Sequence, residues 1–294
     1  MARVLVCGSA VIDFVFSVQT FPDKAEKYRA QDAQVVGGGC AANAAVAIRR
    51  LGGEAQLAAR LGEDQVGDLI LTGLRREGVD LSGVLRGAGR SSFSSVTVDA
   101  RGERQILNYR DDSLRPDPCL LATLALEADG VLADTRWPEA GTVVLEAARA
   151  AGRPAVVDAE APCPPDMLSK ASHVAFSAQG LAAFTGQDGV EAGLQAAHRA
   201  LGVWVCVTQG EQGAWWQDAT GQGHVPALPV AARDTLGAGD VWHGAFALAL
   251  AEGQSEGPAM AFAAATAALK CTRKGGREGT PTRAEVVAFQ ELHR

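Results

Sequence analysis

Short apolar runs alternate with longer stretches of helical period along most of the chain, which predicts a mainly parallel sheet covered by helices. Residues 3–7 read as a first strand that ends at Gly8-Ser9, and 130–134, 155–158, 173–177 and 203–208 read as further strands. Residues 40–51 read as an Ala-rich helix closed by Gly52-Gly53. Residues 64–77 form an amphipathic pattern with Leu69, Leu71 and Leu74 on or near one side, and 141–151 and 190–201 suit crossover helices. Residues 238–251 are apolar nearly all round (Val241, Trp242, Phe246, Leu248, Leu250), which predicts a buried helix, and 258–271 are similar. Thr282 and Glu285 set a capping box for a last helix over 282–292.

Two regions break this rhythm. Residues 15–36 are too polar and irregular for a core helix, and 92–109 read as a hairpin whose arms, 93–99 and 104–109, flank a turn at 100–102. A hairpin inserted in a strand–helix series serves as a sheet edge or as a lid over a site. The expectation is a single α/β domain over 1–294, with a small β lid formed by about 15–36 and 92–109. No internal repeat or linker divides it.

Composition narrows the class of partner. Hydrophobic residues are 47% and charged residues 21%, ordinary for a soluble globular protein of 294 residues. A formal charge of −7 without any basic run argues against a nucleic-acid or anionic-membrane surface. A small anionic ligand stays compatible, because a few local cations can hold one. The six cysteines are scattered and read as reduced thiols, not a disulfide framework. The N-terminus lacks signal-peptide features, and no apolar run reaches the ~18 residues of a membrane span. A cytoplasmic location is expected.

The densest chemistry lies in Asp234-Thr-Leu-Gly-Ala-Gly-Asp240, directly before the buried helix. Gly237 and Gly239 allow tight backbone conformations, so successive N–H groups can converge on an anion, and the helix N-terminus adds unpaired donors. A carboxylate there, Asp240, can accept the proton of an attacking hydroxyl. It can equally stabilise the helix dipole from the first turn, and the residues alone leave both roles open. A carboxylate buried by so apolar a helix is costly without a task, which favours the first.

This segment, followed by an aromatic residue and Gly244-Ala-Phe246, resembles the second signature of the PfkB/ribokinase family of sugar kinases. Gly37-Gly-Gly39-x-Ala-Ala-Asn43 with Leu51-Gly52 resembles the first. The opening Gly8-Ser-x-x-Ile-Asp13, the stretch Val207-Thr-Gln-Gly210 with Gly213, and the tail Lys270…Thr272-Arg…Gly275-Gly complete the resemblance in order across almost the whole chain. The resemblance implies a ribokinase-like fold, ATP with Mg²⁺, a sugar substrate, and homodimers that pair through their lids. It implies Asp240 as catalytic base, with Gly237, Ala238 and Gly239 as the anion hole for the γ-phosphate. Thr208, Gly210, Gly213 and Thr235 would serve the nucleotide, and Asp13, Gly38, Gly39 and Asn43 the substrate hydroxyls. Many members also bind K⁺ beside the first Asp and Thr of the motif, here Asp234 and Thr235. One departure stands out. The family's usual Asn-x-x-Glu, which organises Mg²⁺ and its waters, is replaced by Ser177-Ala-Gln-Gly180, and Asp158 or Glu160 could compensate.

Lys27, Asn108 and Arg136 bear on the substrate. Residues just past strand C-termini face the ligand crevice of open α/β folds, and Lys, Arg and an amide converging there would suit an anionic substituent. The stretches Glu26-Lys-Tyr28, Ile106-Leu-Asn-Tyr109, Ala133-Asp-x-Arg-Trp137, Ala175-Phe-Ser177 and 268–273 resemble the 6-deoxy-6-sulfofructose kinase subfamily. Asn43 is also the ordinary ribokinase residue, so a neutral sugar of fructose or ribose type, or a nucleoside, competes. Gly37-x-Gly39-x-x-Ala42 fits a dinucleotide fingerprint but does not follow the first strand, which weighs against an NAD-dependent oxidoreductase. A non-catalytic sugar-binding regulator would keep Asp13 and Asn43 and lose the base and glycines, which this chain retains. The histidines show no metal-ligand spacing, and His243 reads as a packed core residue.

Overall fold

The computed structural model describes residues 1–111 and 113–293. In chain order the strands are β1 (Arg3–Gly8), β2 (Val11–Ser17), β3 (Asp32–Gly38), β4 (Glu54–Gly62), β5 (Leu85–Gly87), β6 (Phe93–Val98), β7 (Arg104–Tyr109), β8 (Gly130–Asp134), β9 (Ala155–Ala159), β10 (His173–Ser177), β11 (Trp204–Thr208), β12 (Ala214–Gln217) and β13 (Gln222–Val225). The α-helices are α1 (Cys40–Arg50), α2 (Gln65–Arg76), α3 (Leu121–Glu127), α4 (Pro138–Ala150), α5 (Pro165–Leu168), α6 (Ala178–Thr185), α7 (Val190–Leu201), α8 (Ala238–Ala251), α9 (Glu256–Cys271) and α10 (Arg283–Glu291).

Nine strands form one sheet in the order β13-β12-β11-β10-β9-β8-β1-β4-β5. All its pairings are parallel except β11–β12 and β12–β13 at one edge. The first strand shows why its sequence is apolar throughout. Val4 and Val6 enter a core shared with α1, α2, α8 and α9, while Leu5 and Cys7 enter a second core shared with α3, α4, α6 and α7. A strand covered on both faces has no polar side to display.

Every residue of α8 from Val241 to Leu250 is buried. Trp242 stacks on Phe246 at 5.0 Å between ring centroids, and Phe246 stacks on Trp204 at 5.4 Å. The helix lies close against α1 because position 244 is glycine. A Cβ there would stand 2.7 Å from the Ala44 carbonyl oxygen. This approach brings the start of α8 beside Asn43.

The second sheet has four strands in the order β3-β2-β6-β7. Residues 92–109 supply the antiparallel pair β6–β7, the hairpin that the turn at 100–102 predicts. The stretch 15–36, expected together with 92–109 in a small β element, contributes to the same sheet. Its two ends belong to β2 and β3, which pair antiparallel from Val11↔Gly38 to Ser17↔Asp32. Their sequence hides this because β3 is exposed along its first four residues and so carries no apolar alternation. Asp13 accordingly lies inside β2 rather than at a strand end. β1 stops at Gly8, whose φ is 149° and where a Cβ would run into the Asp134 carboxylate.

The strand β4 is absent from the sequence pattern altogether. Its stretch Glu54-Ala-Gln-Leu-Ala-Ala-Arg is rich in good helix formers, yet it pairs parallel to β1 from Arg3↔Glu54 to Gly8↔Ala59. Burial between two helical layers overrides propensity here. Helix α4 begins at Pro138, three residues before the apolar periodicity starts, with proline at its first turn. No helix among the described residues is long and apolar enough to cross a membrane.

Candidate active site

The first residues of α8 stand at the centre of the site. Gly237 is its N-cap in a left-handed conformation, φ 74°, which an L side chain adopts only with strain. The first i→i−4 bond runs from Val241 N–H to the Gly237 carbonyl at 3.0 Å. Gly239 and Asp240 precede it, so their N–H groups have no intrahelical acceptor. Gly239 is exposed and Asp240 is part-buried, which leaves both within reach of a ligand.

Asp240 Oδ2 accepts the Asn43 amide at 2.7 Å. Burial raises the Asp240 carboxyl above its ordinary pKa, with Glu160 and Asp134 adding to the rise, while the bonds from Asn43 and Cys40 oppose it. Asp158, at the end of β9, is 3% exposed, and its Oδ1 has no hydrogen-bond partner among the described residues. Burial pushes its pKa well up, and Asp240, Glu160 and Asp134 push in the same direction. One donor atom each from Cys40, Asp158 and Asp240 lie within 4.8 Å of one another. His243 faces this group from α8. Its Nδ1 donates to the Gly239 carbonyl at 2.8 Å and lies 3.5 Å from Asp158 Oδ2. Burial lowers the imidazole to about 4, so it is neutral near pH 7.

Asp134 ties three elements together. Its Oδ2 accepts from Ser9 N (2.8 Å), Ser9 Oγ (2.7 Å) and Ala41 N (3.0 Å), and its Oδ1 accepts from Arg136 N (2.8 Å). Ser9 Oγ in turn accepts from Cys40 N at 3.0 Å. The amides that begin α1 are therefore satisfied by β1–β2 and β8, which holds α1 and Asn43 in position.

A cleft of about 890 Å³ opens on one side of the α8 N-terminus. It brings together Thr208, Gly210, Gly213, Thr235, Ala238 and Gly239, with an apolar wall that includes Leu228, Val230 and Ala264. A separate, small cavity of about 40 Å³ is lined by Ser9, Ser92, Asn108, Asp111, Arg60, Arg110 and Arg136, where Arg60 donates to the carbonyls of Leu114 and Arg136, and Arg136 to the Ala161 carbonyl and Glu160.

The sequence-derived residues fall into three groups. Thr208, Gly210, Gly213 and Thr235 share the large cleft with Ala238 and Gly239 of the helix start. Asp13, Gly38, Gly39 and Asn43 lie along β2, the end of β3 and the start of α1. A Cβ on Gly38 would stand 2.6 Å from Asp13 Oδ2, so glycine makes room for that carboxylate. Burial raises the Asp13 carboxyl, against a lowering bond from Ser94, and Ser94 Oγ also accepts the Asn108 amide at 3.1 Å. Asn108 and Arg136 meet in the small cavity, but Lys27 is exposed in the connection between β2 and β3 and does not line it. A position read from a polar connection says little about where its side chain ends.

The model described as pfkB family carbohydrate kinase matches residues 1–283. The chain belongs to that family. It is 30% identical to the ribokinase of Bacillus subtilis over 97% of this chain and 98% of that one. It is 31% identical to Fructokinase-1 of Oryza sativa over 86% and 88% of the two chains. The solved structure of Arabidopsis thaliana ribokinase complexed with ribose and ATP superposes with a TM-score of 0.89 at 27% identity, covering 98% of this chain and 99% of that one. The fold is ribokinase-like, and the protein is an ATP-dependent carbohydrate kinase.

Within this pfkB kinase, the replaced Asn-x-x-Glu takes a structural role. Ser177 caps α6 by accepting from Gly180 N at 3.0 Å. The Asp158 carboxylate fits the demand of a hard cation, since its Oδ1 is buried with no hydrogen-bond partner among the described residues, and Glu160 beside it is paired with Arg136 at 2.8 Å. The K⁺ position near Asp234 and Thr235 fits less well. The Asp234 carbonyl already accepts the Lys270 ammonium at 3.0 Å, and both its carboxylate oxygens are engaged, by Leu236 N and Gly275 N.

Several site residues escape sequence reasoning. Arg277 is 5% exposed and donates to the carbonyls of Gly37 and Gly38, both at 3.1 Å. Cys40, Asp134, Lys270, Arg60 and Arg110 also border the centre. Asp134 and Lys270 fall inside stretches that carry the resemblance but were given no role there; for the others the only signal was position, at strand ends and beside glycine-rich turns.

Proposed function

We propose that this pfkB kinase transfers the γ-phosphate of ATP to a primary hydroxyl of a ketose-like sugar bearing an anionic group, with 6-deoxy-6-sulfofructose as the candidate. The observation that carries the anionic specificity is the small cavity where Asn108 and Arg136 meet Arg60 and Arg110. Guanidinium forks match the oxygens of a sulfonate or phosphate bidentately, and an amide donor adds direction.

In this reading the nucleotide occupies the large cleft, with Thr208, Gly210, Gly213 and Thr235 against it. Asp13, Gly38, Gly39 and Asn43 hold sugar hydroxyls. Asp240 accepts the proton of the attacking hydroxyl, and the amides of Gly239 and Asp240 meet the charge that develops on the phosphoryl group, since the Ala238 amide expected there is taken by the Thr235 carbonyl at 3.1 Å. Mg²⁺ arriving with ATP would be held by Asp158 and Glu160 and would neutralise phosphate charge. The sheet β3-β2-β6-β7 serves as lid over the sugar. Exposed Val35, Ile106 and Leu107 on it, at 54%, 60% and 77%, favour pairing of two lids in a homodimer.

A neutral sugar is the second reading. It is favoured by the ion pair of Arg136 with Glu160 at 2.8 Å, which already satisfies that guanidinium, and by relatives named ribokinase and fructokinase. The test compares kcat/KM for 6-deoxy-6-sulfofructose, fructose, ribose and fructose 6-phosphate in the wild type and Arg136→Ala. The proposal expects preference for an anionic ketose, reduced about 10- to 100-fold by the substitution while neutral sugars are spared. Equal loss for all four sugars, or an unchanged preference, contradicts it.

A further inference from the structure

Lys270 is a buried cation placed against the phosphate loop. It lies in the last turn of α9 with 0% exposure. Its Nζ donates to the Asp234 carbonyl at 3.0 Å. The same stretch is held twice more by α9, since Arg233 N and Asp234 N both donate to the Cys271 carbonyl, at 2.7 and 3.1 Å. Asp234 Oδ1 accepts from Leu236 N at 2.9 Å, Oδ2 accepts from Gly275 N at 3.0 Å, and the Arg104 guanidinium stands 3.4 Å from Oδ1.

Burial of an ammonium is expensive, and packing alone would be served by an apolar side chain. Burial draws the Lys270 pKa down, and the Asp234 charge acts against that. What the fold gains is a positive charge fastened to a backbone carbonyl at the first residue of the loop. From there the chain turns through the Thr235 carbonyl, which accepts Ala238 N at 3.1 Å, to the left-handed Gly237. An ammonium and a monovalent cation carry the same charge and both seek carbonyl and carboxylate oxygens. The tethered one is always present and needs no binding from solution.

We propose that the Lys270 ammonium is a built-in substitute for a monovalent cation, bracing the loop from Asp234 to Gly239, and that the kinase is consequently independent of K⁺. Lys270 acts through the loop and touches no reacting atom, so it is a positioning residue. The proposal rests on the ATP-dependent kinase activity but not on the identity of the sugar.

The experiment measures turnover with MgATP and sugar, and melting temperature, in tetramethylammonium, K⁺ and NH₄⁺ chloride at constant ionic strength. Wild type and Lys270→Ala are compared, with Lys270→Arg as the conservative control. Wild type is expected to be indifferent to the cation in both readouts. Lys270→Ala loses about 10- to 100-fold in kcat in tetramethylammonium. K⁺ or NH₄⁺ restores part of that loss and raises its melting temperature, but not that of the wild type, and Lys270→Arg falls between the two. Severalfold stimulation or stabilisation of the wild type by K⁺ overturns the proposal. So does a folded Lys270→Ala protein impaired equally in every salt. If that variant does not fold, the wild-type comparison decides alone. A wild type that turns over no sugar refutes the kinase reading, while its melting temperatures still decide this one.

Discussion

The Asn43 side chain donates to Asp240 Oδ2 at 2.7 Å, joining two helices whose partners are 197 residues apart in the chain. The bond exists because Gly244 lets α8 lie against α1, and because Asp134 and Ser9 hold the start of α1. It works against the effect of burial on Asp240, which raises the carboxyl while Asn43 lowers it.

A base must be deprotonated to act, so turnover should fall as pH drops through the Asp240 pKa. Asn43→Ala removes a bond that favours the charged form and should move the acid limb of the kcat/KM profile to higher pH. The pH–rate profiles of the two proteins check this. An acid limb in the same place in both would show that Asn43 does not tune the base.

Glu285 offers a stability test far from the chemistry. Bonds from Arg273 and from Thr282 in the capping box hold its carboxyl at about 2, below the ordinary 4.5. A carboxyl with a depressed folded pKa stabilises the protein above the unfolded value, and that contribution is lost as pH falls from about 4.5 towards 2. Glu285→Gln should therefore melt lower than wild type at pH 7, and the gap should close in acid. Thermal melts across that range check it.

Gly8→Ala should be severe. The added Cβ meets the Asp134 carboxylate at a backbone angle that favours glycine, and Asp134 organises the start of α1. Two such insults in a buried junction should cost about 3 kcal/mol or more, read by denaturant unfolding. Loss of activity should follow from the displaced Asn43, not from any direct contact of residue 8 with ligand.

The central parallel strands and α8 were legible in sequence because burial on both faces leaves uniformly apolar runs. Val4–Cys7 and Val241–Leu250 are clear instances. β4 was not, since its alanines and leucine favour helix locally and only pairing with β1 makes it a strand. β3 was not, since its exposed residues lack alternation. In the site, the 234–240 loop announced itself through glycine spacing at a helix start. Arg277, Asp134 and Lys270 did not, because a buried charge is recognisable only from the partners that three-dimensional contact supplies.

The most direct test of the account is the turnover of Asp240→Asn, with ATP binding measured on the same preparation. The substitution keeps size and removes the capacity to accept a proton. The account predicts a fall in kcat of about 10²- to 10⁴-fold with ATP affinity retained. Turnover close to that of the wild type would contradict it.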